Sequence, residues 1–513
     1  MFFKKITKIT IFLVILIFML LLSGLFVNAS EANELIAAFT QSIQTFHVHN
    51  YRGGYDNIVQ VQIYEGLVKF NKDRNIVPSL ATSWEQIDNK TWEFKLRQGV
   101  KFHDGTPFNA EAVKFSIERS AQGTGKGYIG IVNEVEIVDD FTVLLHLKNE
   151  YGPILQNLAS VAVLMMNPKF VEEAGESIVE RACGTGPFML QEYKRDLKVV
   201  LIKNENYWGE TAKIDKLEIR TIPEEGSRVM ALRSGEVDLI ENPSPNDLPS
   251  IEGEKNLYVY LSPKNRTLYL GFNLKDENIG KEINKPIREA IAYAVDKQAI
   301  VDYVLDGLAI AANTGLIPQS MSKGFHDPNL VRDFDIEKAK AILKDAGIEE
   351  GREIEFSFPR GRYLRDVETA EVIQDMVSKI GIKLNMKVME MAAYGGYRSK
   401  FQHQMYLLAW GWPGASPQIL FRSIFFPGGP FDNVAIYEKA EEFIDLMDEA
   451  AKTNDFEESM ALYNQAYKII FDQVAVIPLL HYQNVWAANN KVKNLYVDED
   501  EKIYFEEAYL ELQ

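Results

Sequence analysis

Short apolar runs bounded by polar or turn-forming residues recur along the whole chain. Their length and their content of branched and aromatic residues are typical of β-strands. The clearest runs are NELIAAFT (33–40), KVVLIKN (198–204), IDKLEIRTI (214–222), NLYVYLS (256–262), TLYLGFNL (267–274), EIEFSFP (353–359) and MYLLAWGW (405–412). Segments with helical spacing alternate with these runs. This alternation predicts α/β lobes with mixed sheets.

The helical segments carry recognisable start and stop residues. Asparagine is a preferred N-cap, proline is common in a first turn, and glycine often follows the last turn. The predicted helices are 109–120 with Asn109 as N-cap, 227–235 ending at Gly235, 285–307 with Pro286 in the first turn and Gly307 at the end, 367–381 ending at Gly381, and helices within 437–454 and 456–474.

The N-terminus has the pattern of a secretory signal. Three lysines precede an apolar run at 11–27, and Val27-Asn28-Ala29 then supplies small residues at the positions that a signal peptidase reads. The expected signal peptide is 1–29, with cleavage between Ala29 and Ser30 and a periplasmic or cell-surface location. A retained membrane anchor is the alternative, because the run is barely long enough to span a bilayer. No cysteine follows the run, which argues against a lipoprotein.

Charge narrows the classes of partner. The formal net charge is −18, and it becomes −21 once a signal with three lysines is removed. A surface with this much negative charge repels nucleic acid and anionic lipid. Neither is therefore expected as a partner. Cys183 is the only cysteine, which excludes an intrachain disulfide and favours a small buried apolar residue.

The most specific stretch is PSLATSWEQIDNKTWEFKLRQGVKFHDGTPFNAEAVKFSIER, residues 78–119. Trp92, Phe94 and Leu96 alternate as the buried face of a strand, and Asp104-Gly105 supplies a tight turn. The stretch closely resembles the hallmark segment of the bacterial extracellular solute-binding proteins of the peptide and nickel group. The resemblance continues in order and spacing through IYEGLVKF (63–70), GTGPFMLQEYK (184–194), NENYWGE (204–210), SRVMALRSGEVDLI (227–240), REAIAYAVDKQAIVDYVLDG (288–307) and IPLLHYQNVWA (477–487).

The resemblance implies a two-lobed periplasmic-binding-protein fold, type II-like, of the large class with an extra subdomain and a hinge cleft. Lobe 1 is expected to comprise 31–272 plus 484–513, and lobe 2 to comprise 273–483. It also implies the substrate-binding component of an ABC importer, which captures a peptide or metal chelate and closes around it. The closed form would then dock on the permease subunits in the membrane. No cofactor is expected, apart from a metal carried within a chelated ligand.

The resemblance also suggests ligand contacts. Tyr51, Tyr128 and either Trp410 or Trp412 stand where nickel-chelate relatives have aromatic contacts, and aromatic faces bury large areas at small entropic cost. Independently of the resemblance, Arg52 beside Gly53-Gly54 is a candidate clamp for a ligand carboxylate, and a solvated loop face is the alternative. For each aromatic residue the alternative is a place in the core.

Two departures from the family pattern bear on the ligand. Peptide-binding relatives hold the ligand ammonium with the aspartate of an Asp-Pro pair, but this chain has Ser416-Pro417 and so lacks that carboxylate. Nickel-chelate relatives use an arginine near 160–168, where this chain has none, and a histidine that 423–433 lacks. Because an unpaired buried ammonium is costly, the sequence favours an anionic chelate, or a peptide whose amine is blocked or held elsewhere.

Two further clusters are candidates for ligand chemistry. Arg352, Arg360, Arg362 and Arg365 lie close together in 351–366, and one of them could clamp a carboxylate; a solvated loop face is the alternative. His47 and His49 would point the same way on a strand and could reach one metal ion. Two imidazoles without a third ligand more often have a structural role.

Enzyme classes find little support. The chain has no G-x-S-x-G, H-E-x-x-H or C-x-x-C motif, and GTGKG (123–127) lacks the required P-loop positions. The alternatives that remain are a ligand-binding sensor for a membrane partner, which a retained N-terminal helix would favour, and an exported hydrolase whose catalytic groups meet only in the fold.

Overall fold

The computed structural model describes residues 33–50, 54–313, 315–318, 325, 327–411, 417–426, 439–498 and 500–511. The predicted signal peptide and the predicted contacts Tyr51, Arg52 and Trp412 lie outside these residues. No helix in the described ranges combines the length and the apolar character needed to cross a bilayer.

The strands of the described ranges are β1 Glu34–Phe39, β2 Val68–Phe70, β3 Ile76–Pro78, β4 Ala81–Asp88, β5 Thr91–Leu96, β6 Val132–Asp139, β7 Thr142–Leu147, β8 Phe188–Lys194, β9 Lys198–Lys203, β10 Lys216–Thr221, β11 Leu239–Glu241, β12 Leu257–Phe272, β13 Ala309–Ala311, β14 Arg352–Arg360, β15 Ile382–Glu390, β16 Met405–Trp410, β17 Val476–Asn489, β18 Val492–Lys493, β19 Tyr496–Val497, β20 Ile503–Tyr504 and β21 Tyr509–Leu510.

The α-helices are α1 Gly54–Ile63, α2 Ala110–Gln122, α3 Lys126–Ile129, α4 Ile154–Leu158, α5 Pro168–Ala174, α6 Glu225–Ser234, α7 Leu248–Glu252, α8 Glu277–Glu282, α9 Lys285–Ala294, α10 Lys297–Ala299, α11 Ile336–Asp345, α12 Asp366–Ser378, α13 Met391–Arg398, α14 Pro417–Phe425, α15 Ala440–Lys452 and α16 Phe456–Asp472. Tighter 3-10 turns occur at Val48–Asn50, Val161–Val163 and Gly175–Val179, and a π-helical turn at Ile300–Val304.

The main sheet is mixed and runs in the order β15-β14-β16-β12-β17-β11-β1-β10-β9-β8, with β13 also paired to β17. The long strands β12 and β17 pair antiparallel over most of their length, so they connect its two halves. One hydrophobic core is built from residues between 268 and 482, and another from residues 35–239 and 486–505. The two long strands therefore lie where the cores meet. The exact lobe boundaries stay a prediction.

A separate four-stranded sheet, ordered β4-β5-β7-β6, packs on helix α2 with its own hydrophobic core. Trp92, Phe94 and Leu96 are buried on β5, as the alternation predicts. Asn109 caps α2 by accepting a hydrogen bond from the main-chain N–H of Ala112. The α/β class with mixed sheets is confirmed, and this sheet is a further unit beside the main one.

Three predicted elements were wrong in extent. The helix predicted over 285–307 ends at Ala294, because Val295 is extended and the Asp296 side chain caps a new turn by accepting from the N–H of Ala299. The two strands predicted at 256–262 and 267–274 form one strand, β12. Its pairing with β17 shifts register between Pro263 and Thr267, where the apolar pattern breaks.

Candidate ligand-binding cleft

A cavity of about 330 Å³ opens where β12, β14, β16 and α13 come together. That volume is at the lower end of the range for small-molecule sites. The lining residues are Arg266, Arg362, Tyr363, Met391, Gly395, Arg398, Ser399, Phe401, His403, Leu408, Ala409, Trp410 and Gly411. This set contains three arginines and no acidic residue, so we call it the arginine cavity. Its charge favours an anionic group.

Arg362 reaches this cavity from the turn that follows β14. The buried carboxylate of Asp366 accepts main-chain N–H groups of Gly361, Arg362 and Tyr363 at 3.1, 2.8 and 3.0 Å. Gly361 has φ 67°, a conformation that favours glycine. The turn is thus fixed by its main chain, while the Arg362 side chain remains exposed and available to a ligand.

Arg398 is held at the cavity by an aromatic support. It is 8% exposed, and its guanidinium carbon lies 4.4 Å from the ring centroid of Tyr406, a cation–π arrangement. Tyr406 is fully buried and packs against Gly271 of β12, where a Cβ atom would come within 2.1 Å of the ring. Glycine at 271 therefore allows the ring to lie against the strand and support Arg398.

His403 is a buried polar side chain on the wall of the arginine cavity. It is 1% exposed, and neither ring nitrogen has a hydrogen-bond partner among the described residues. Its ring packs edge-on against Tyr406 with centroids 4.9 Å apart. Burial, followed by the positive charge of Arg398, lowers the pKa of His403 to about 3. The imidazole is therefore neutral at physiological pH and leaves the positive charge to the arginines.

We expect His403 to make the fold sensitive to acid. The unfolded chain has a histidine pKa near 6.5, so between pH 6.5 and about 3 the unfolded state binds a proton that the folded state does not. Stability contributed by this site is complete above pH 6.5 and falls as the pH decreases. The loss at pH 5 is about 2 kcal/mol. His403→Phe should therefore lose about that much less stability between pH 7 and pH 5, measured by urea unfolding of the ligand-free protein. If the free energy of unfolding fell by the same amount between pH 7 and pH 5 in His403→Phe and in the wild type, this expectation would be contradicted.

The four arginines of 351–366 have different roles. Arg352 donates to the main-chain oxygen of Glu282 at 2.9 Å, and Arg365 forms an ion pair with Asp306 at 2.7 Å. Arg360 is exposed and does not line the cavity. Of these four arginines, only Arg362 lines the arginine cavity. It is therefore the one member of the cluster that remains a candidate for binding a ligand carboxylate.

The predicted aromatic contacts are not all brought together. Trp410 ends β16 and lines the arginine cavity. Tyr128 lies in α3, is half-buried and packs against the core of the four-stranded sheet. It is not among the residues that line the arginine cavity. Its role as a ligand contact stays a prediction.

The geometry does not support a metal at His47 and His49. His49 lies in the 3-10 turn Val48–Asn50 and His47 directly precedes it. The prediction that both side chains point the same way assumed a strand, and that assumption was wrong. His49 Nε2 donates to the main-chain oxygen of Leu164 at 2.9 Å, and the Arg119 guanidinium donates to His47 Nε2 at 2.9 Å. The lone pair of His47 Nε2 is therefore engaged in a hydrogen bond, and the positive charge of Arg119 would repel a metal cation at this nitrogen. Within the described ranges, no group of three or more His, Cys, Asp or Glu residues is placed to hold a metal ion.

Sequence reasoning missed Arg266 and Arg398. Arg266 lies in the irregular segment of β12, and Arg398 is the last residue of α13. Neither belongs to a motif that points to a ligand, and only the fold brings them beside Arg362. A basic residue at the break between two apolar runs was the one signal that could have drawn attention to Arg266.

Comparisons with known proteins agree on one family. The model described as "Bacterial extracellular solute-binding proteins, family 5 Middle" matches residues 75–432. The chain is 30% identical to the dipeptide-binding protein of Escherichia coli, over 94% of this chain and 95% of that protein. It is 29% identical to heme-binding protein A of Haemophilus influenzae, over 85% of each. The solved structure of HbpA2 from Haemophilus parasuis superposes with a TM-score of 0.83 at 26% identity, covering 94% of this chain and all of that one.

Proposed function

Because the chain belongs to the bacterial extracellular solute-binding proteins of family 5, we propose that its ligand is a short peptide with a free carboxylate. The chain is the substrate-binding component of an ABC importer and not an enzyme. Proteins of this family bind small molecules and deliver them to ABC permeases. The two-lobed fold is that of the family.

The observation that carries the proposal is the convergence of Arg266, Arg362 and Arg398 on one cavity without an acidic residue in its lining. A guanidinium offers paired donors in a planar fork that matches a carboxylate. A cavity of about 330 Å³ suits a small ligand better than a large one. Trp410 and Tyr363 supply apolar area beside the charged groups.

The relatives support a peptide as the cargo. The Escherichia coli relative at 30% identity is named a dipeptide-binding protein, and relatives from Salmonella at 27–28% identity are named glutathione-binding proteins. Both names describe small peptidic molecules that carry carboxylates. The heme-binding name of another relative shows that cargo varies within the family, so the ligand of this chain needs its own test.

The proposal extends to location and partner. The family is extracellular, and we propose that the chain is exported by its N-terminal signal, with Ser30 as the first residue of the mature protein. The permease subunits of an ABC importer are its proposed membrane partner. A sensor role would instead require a retained N-terminal helix and a signalling partner.

Calorimetry with four probes tests the ligand class. We expect Ala-Ala to bind, and its C-terminal amide to bind at least about 30-fold more weakly, because the amide removes the anion that the arginines pair with. The other probes are Ala-Ala-Ala-Ala, which reports the length limit, and nickel–histidine in metal-free buffer. Binding of nickel–histidine without binding of either peptide would replace the peptide proposal with a chelate. Equal affinity for Ala-Ala and its amide would show that the arginines do not recognise the carboxylate.

A further inference from the structure

A second, smaller cavity lies next to the irregular segment of β12. It has a volume of about 30 Å³, roughly that of one water molecule, and therefore has room for one ammonium-sized group. Its lining residues are Tyr55, Ile58, Glu241, Asn242, Lys264, Asn484, Trp486 and Glu501. We call it the hinge cavity, because β12 and β17 form part of its wall. Its charged lining is two carboxylates and one ammonium, so it is net negative where the arginine cavity is positive.

Of the two carboxylates, only Glu501 has a cationic partner among the described residues. The Lys264 ammonium lies 2.7 Å from Glu501. Glu241 is 5% exposed and accepts the main-chain N–H of Thr40 at 2.6 Å and the hydroxyl of Tyr55. The nearby Arg228 guanidinium binds the main-chain oxygen of Glu241 rather than its carboxylate.

Burial raises the pKa of Glu241, although hydrogen bonds from Thr40 and Tyr55 and the charge of Arg228 act in the opposite direction. Hydrogen bonds from the main chain and side chain of Thr40 and from the phenol of Tyr55 stabilise the carboxylate, and all of these donors are neutral. A cationic group of a ligand would supply a direct charged partner for the carboxylate, which Glu241 does not have among the described residues. Such charge-assisted hydrogen bonds are stronger than those between neutral groups.

Trp486 gives an independent sign of a missing partner. It lies directly opposite Glu241 in the pairing of β11 with β17, so the two side chains are on the same face of the sheet. Trp486 is 3% exposed and lines the hinge cavity. Its indole N–H has no hydrogen-bond acceptor among the described residues. An ammonium cannot accept this hydrogen bond, so the indole N–H needs a second ligand group, such as the peptide carbonyl oxygen next to the amine.

The two cavities are neighbours along β12. Lys264 lines the hinge cavity and Arg266 lines the arginine cavity. Two residues of extended chain span at most roughly 7 Å, which is also the reach of a dipeptide. Although burial acts against it, the charges of Lys264 and Arg266 together lower the pKa of Glu501. Arg266 is therefore close enough to act on both cavities.

We propose that the hinge cavity is the ammonium subsite of this protein: the free amine of a peptide pairs with Glu241, while its carboxylate lies in the arginine cavity. This inference rests on the proposed peptide ligand and adds its orientation. It assigns Glu241 as a specificity-determining residue for free amines. It also makes Glu241 the counter-charge of the amine, a role that the uncharged side chain of Ser416 cannot fill.

The test compares Ala-Ala with N-acetyl-Ala-Ala on the wild-type protein and on Glu241→Gln. The wild type should bind N-acetyl-Ala-Ala at least about 30-fold more weakly than Ala-Ala, since the acetylated nitrogen carries no charge. Glu241→Gln should weaken Ala-Ala by a similar factor and leave N-acetyl-Ala-Ala nearly unchanged. Glutamine keeps an oxygen to accept the N–H of Thr40, so the local fold should persist. Glu252→Gln, an exposed residue of α7, is the matched control and should bind both probes like the wild type.

Each outcome separates this inference from the proposed function. If Ala-Ala binds and the wild type accepts N-acetyl-Ala-Ala equally well, the ammonium subsite is wrong and the peptide function stands. If acetylation weakens binding but Glu241→Gln does not, the amine is held elsewhere and the assignment of Glu241 is wrong. If no peptide binds the wild type, both proposals fall. Because the acetylation comparison uses the wild type alone, it does not depend on how the variant folds.

Discussion

Arg362→Gln is expected to weaken the binding of Ala-Ala about 100-fold. Arg362 is the exposed one of the three arginines in the arginine cavity, and the Asp366 carboxylate fixes its turn through main-chain N–H groups alone. The substitution therefore removes a charged donor and leaves the turn intact. We expect closure of the cleft around the ligand to take this charge pair out of water. Removing one partner of a buried charge pair typically costs about 2 to 5 kcal/mol, and 1.4 kcal/mol is a tenfold change. Calorimetry on both proteins measures the ratio.

The matched control is Arg360→Gln. Arg360 lies two residues earlier, is exposed and does not line the cavity, so its loss changes the net charge equally without removing a ligand contact. We expect a change of less than about threefold, the size of a long-range charge effect. Equal losses in both variants would mean that the arginines act only through the overall charge. The C-terminal amide should bind Arg362→Gln and the wild type with similar affinity.

Arg228→Met is expected to lower the free energy of unfolding by about 3 to 5 kcal/mol. Arg228 lies in α6 and is 2% exposed. Its guanidinium donates to the main-chain oxygens of Ile222, Pro223, Glu241 and Asn242 at 2.8, 2.9, 3.2 and 3.0 Å. Methionine fills the space but leaves these buried oxygens without their donor. Urea unfolding measures the change.

The control for this variant is Arg233→Met on the same helix. Arg233 pairs with Glu254 at 2.7 Å, and both side chains are about one third exposed. Partly exposed pairs contribute little, so the expected loss is below about 1 kcal/mol. Similar losses in the two variants would contradict a special role for Arg228. Arg228 also holds the main chain at Glu241 by a hydrogen bond. Folded Arg228→Met protein should therefore bind Ala-Ala more weakly than the wild type does.

Local patterns predicted the secondary structure well where one face of an element is buried. The alternation in β5, the Asn109 cap and the stop at Gly235 are all present. One failure came from tertiary pairing and the other from a local helix cap. The polar break at 263–266 suggested a loop, but pairing with β17 carries the strand through it with a register shift. Asp296 ended one helix and began the next, which apolar spacing alone did not reveal.

The site was harder to predict than the fold, because its residues come from distant segments. Arg362 and Trp410 stood out in sequence as a basic cluster and an aromatic motif. Glu241 carried a weaker signal, an acid at the end of a fully buried strand, which is an unusual place for a charge. His47 and His49 show the opposite failure: their spacing suggested a metal, but their hydrogen bonds with Arg119 and Leu164 occupy one nitrogen of each ring.

The most direct test of the central claim is a crystal structure of the protein with bound Ala-Ala. We predict that the ligand carboxylate lies within hydrogen-bond distance of Arg362 and that its ammonium lies within hydrogen-bond distance of the Glu241 carboxylate. A ligand bound in the reverse orientation, or outside both cavities, would contradict the account.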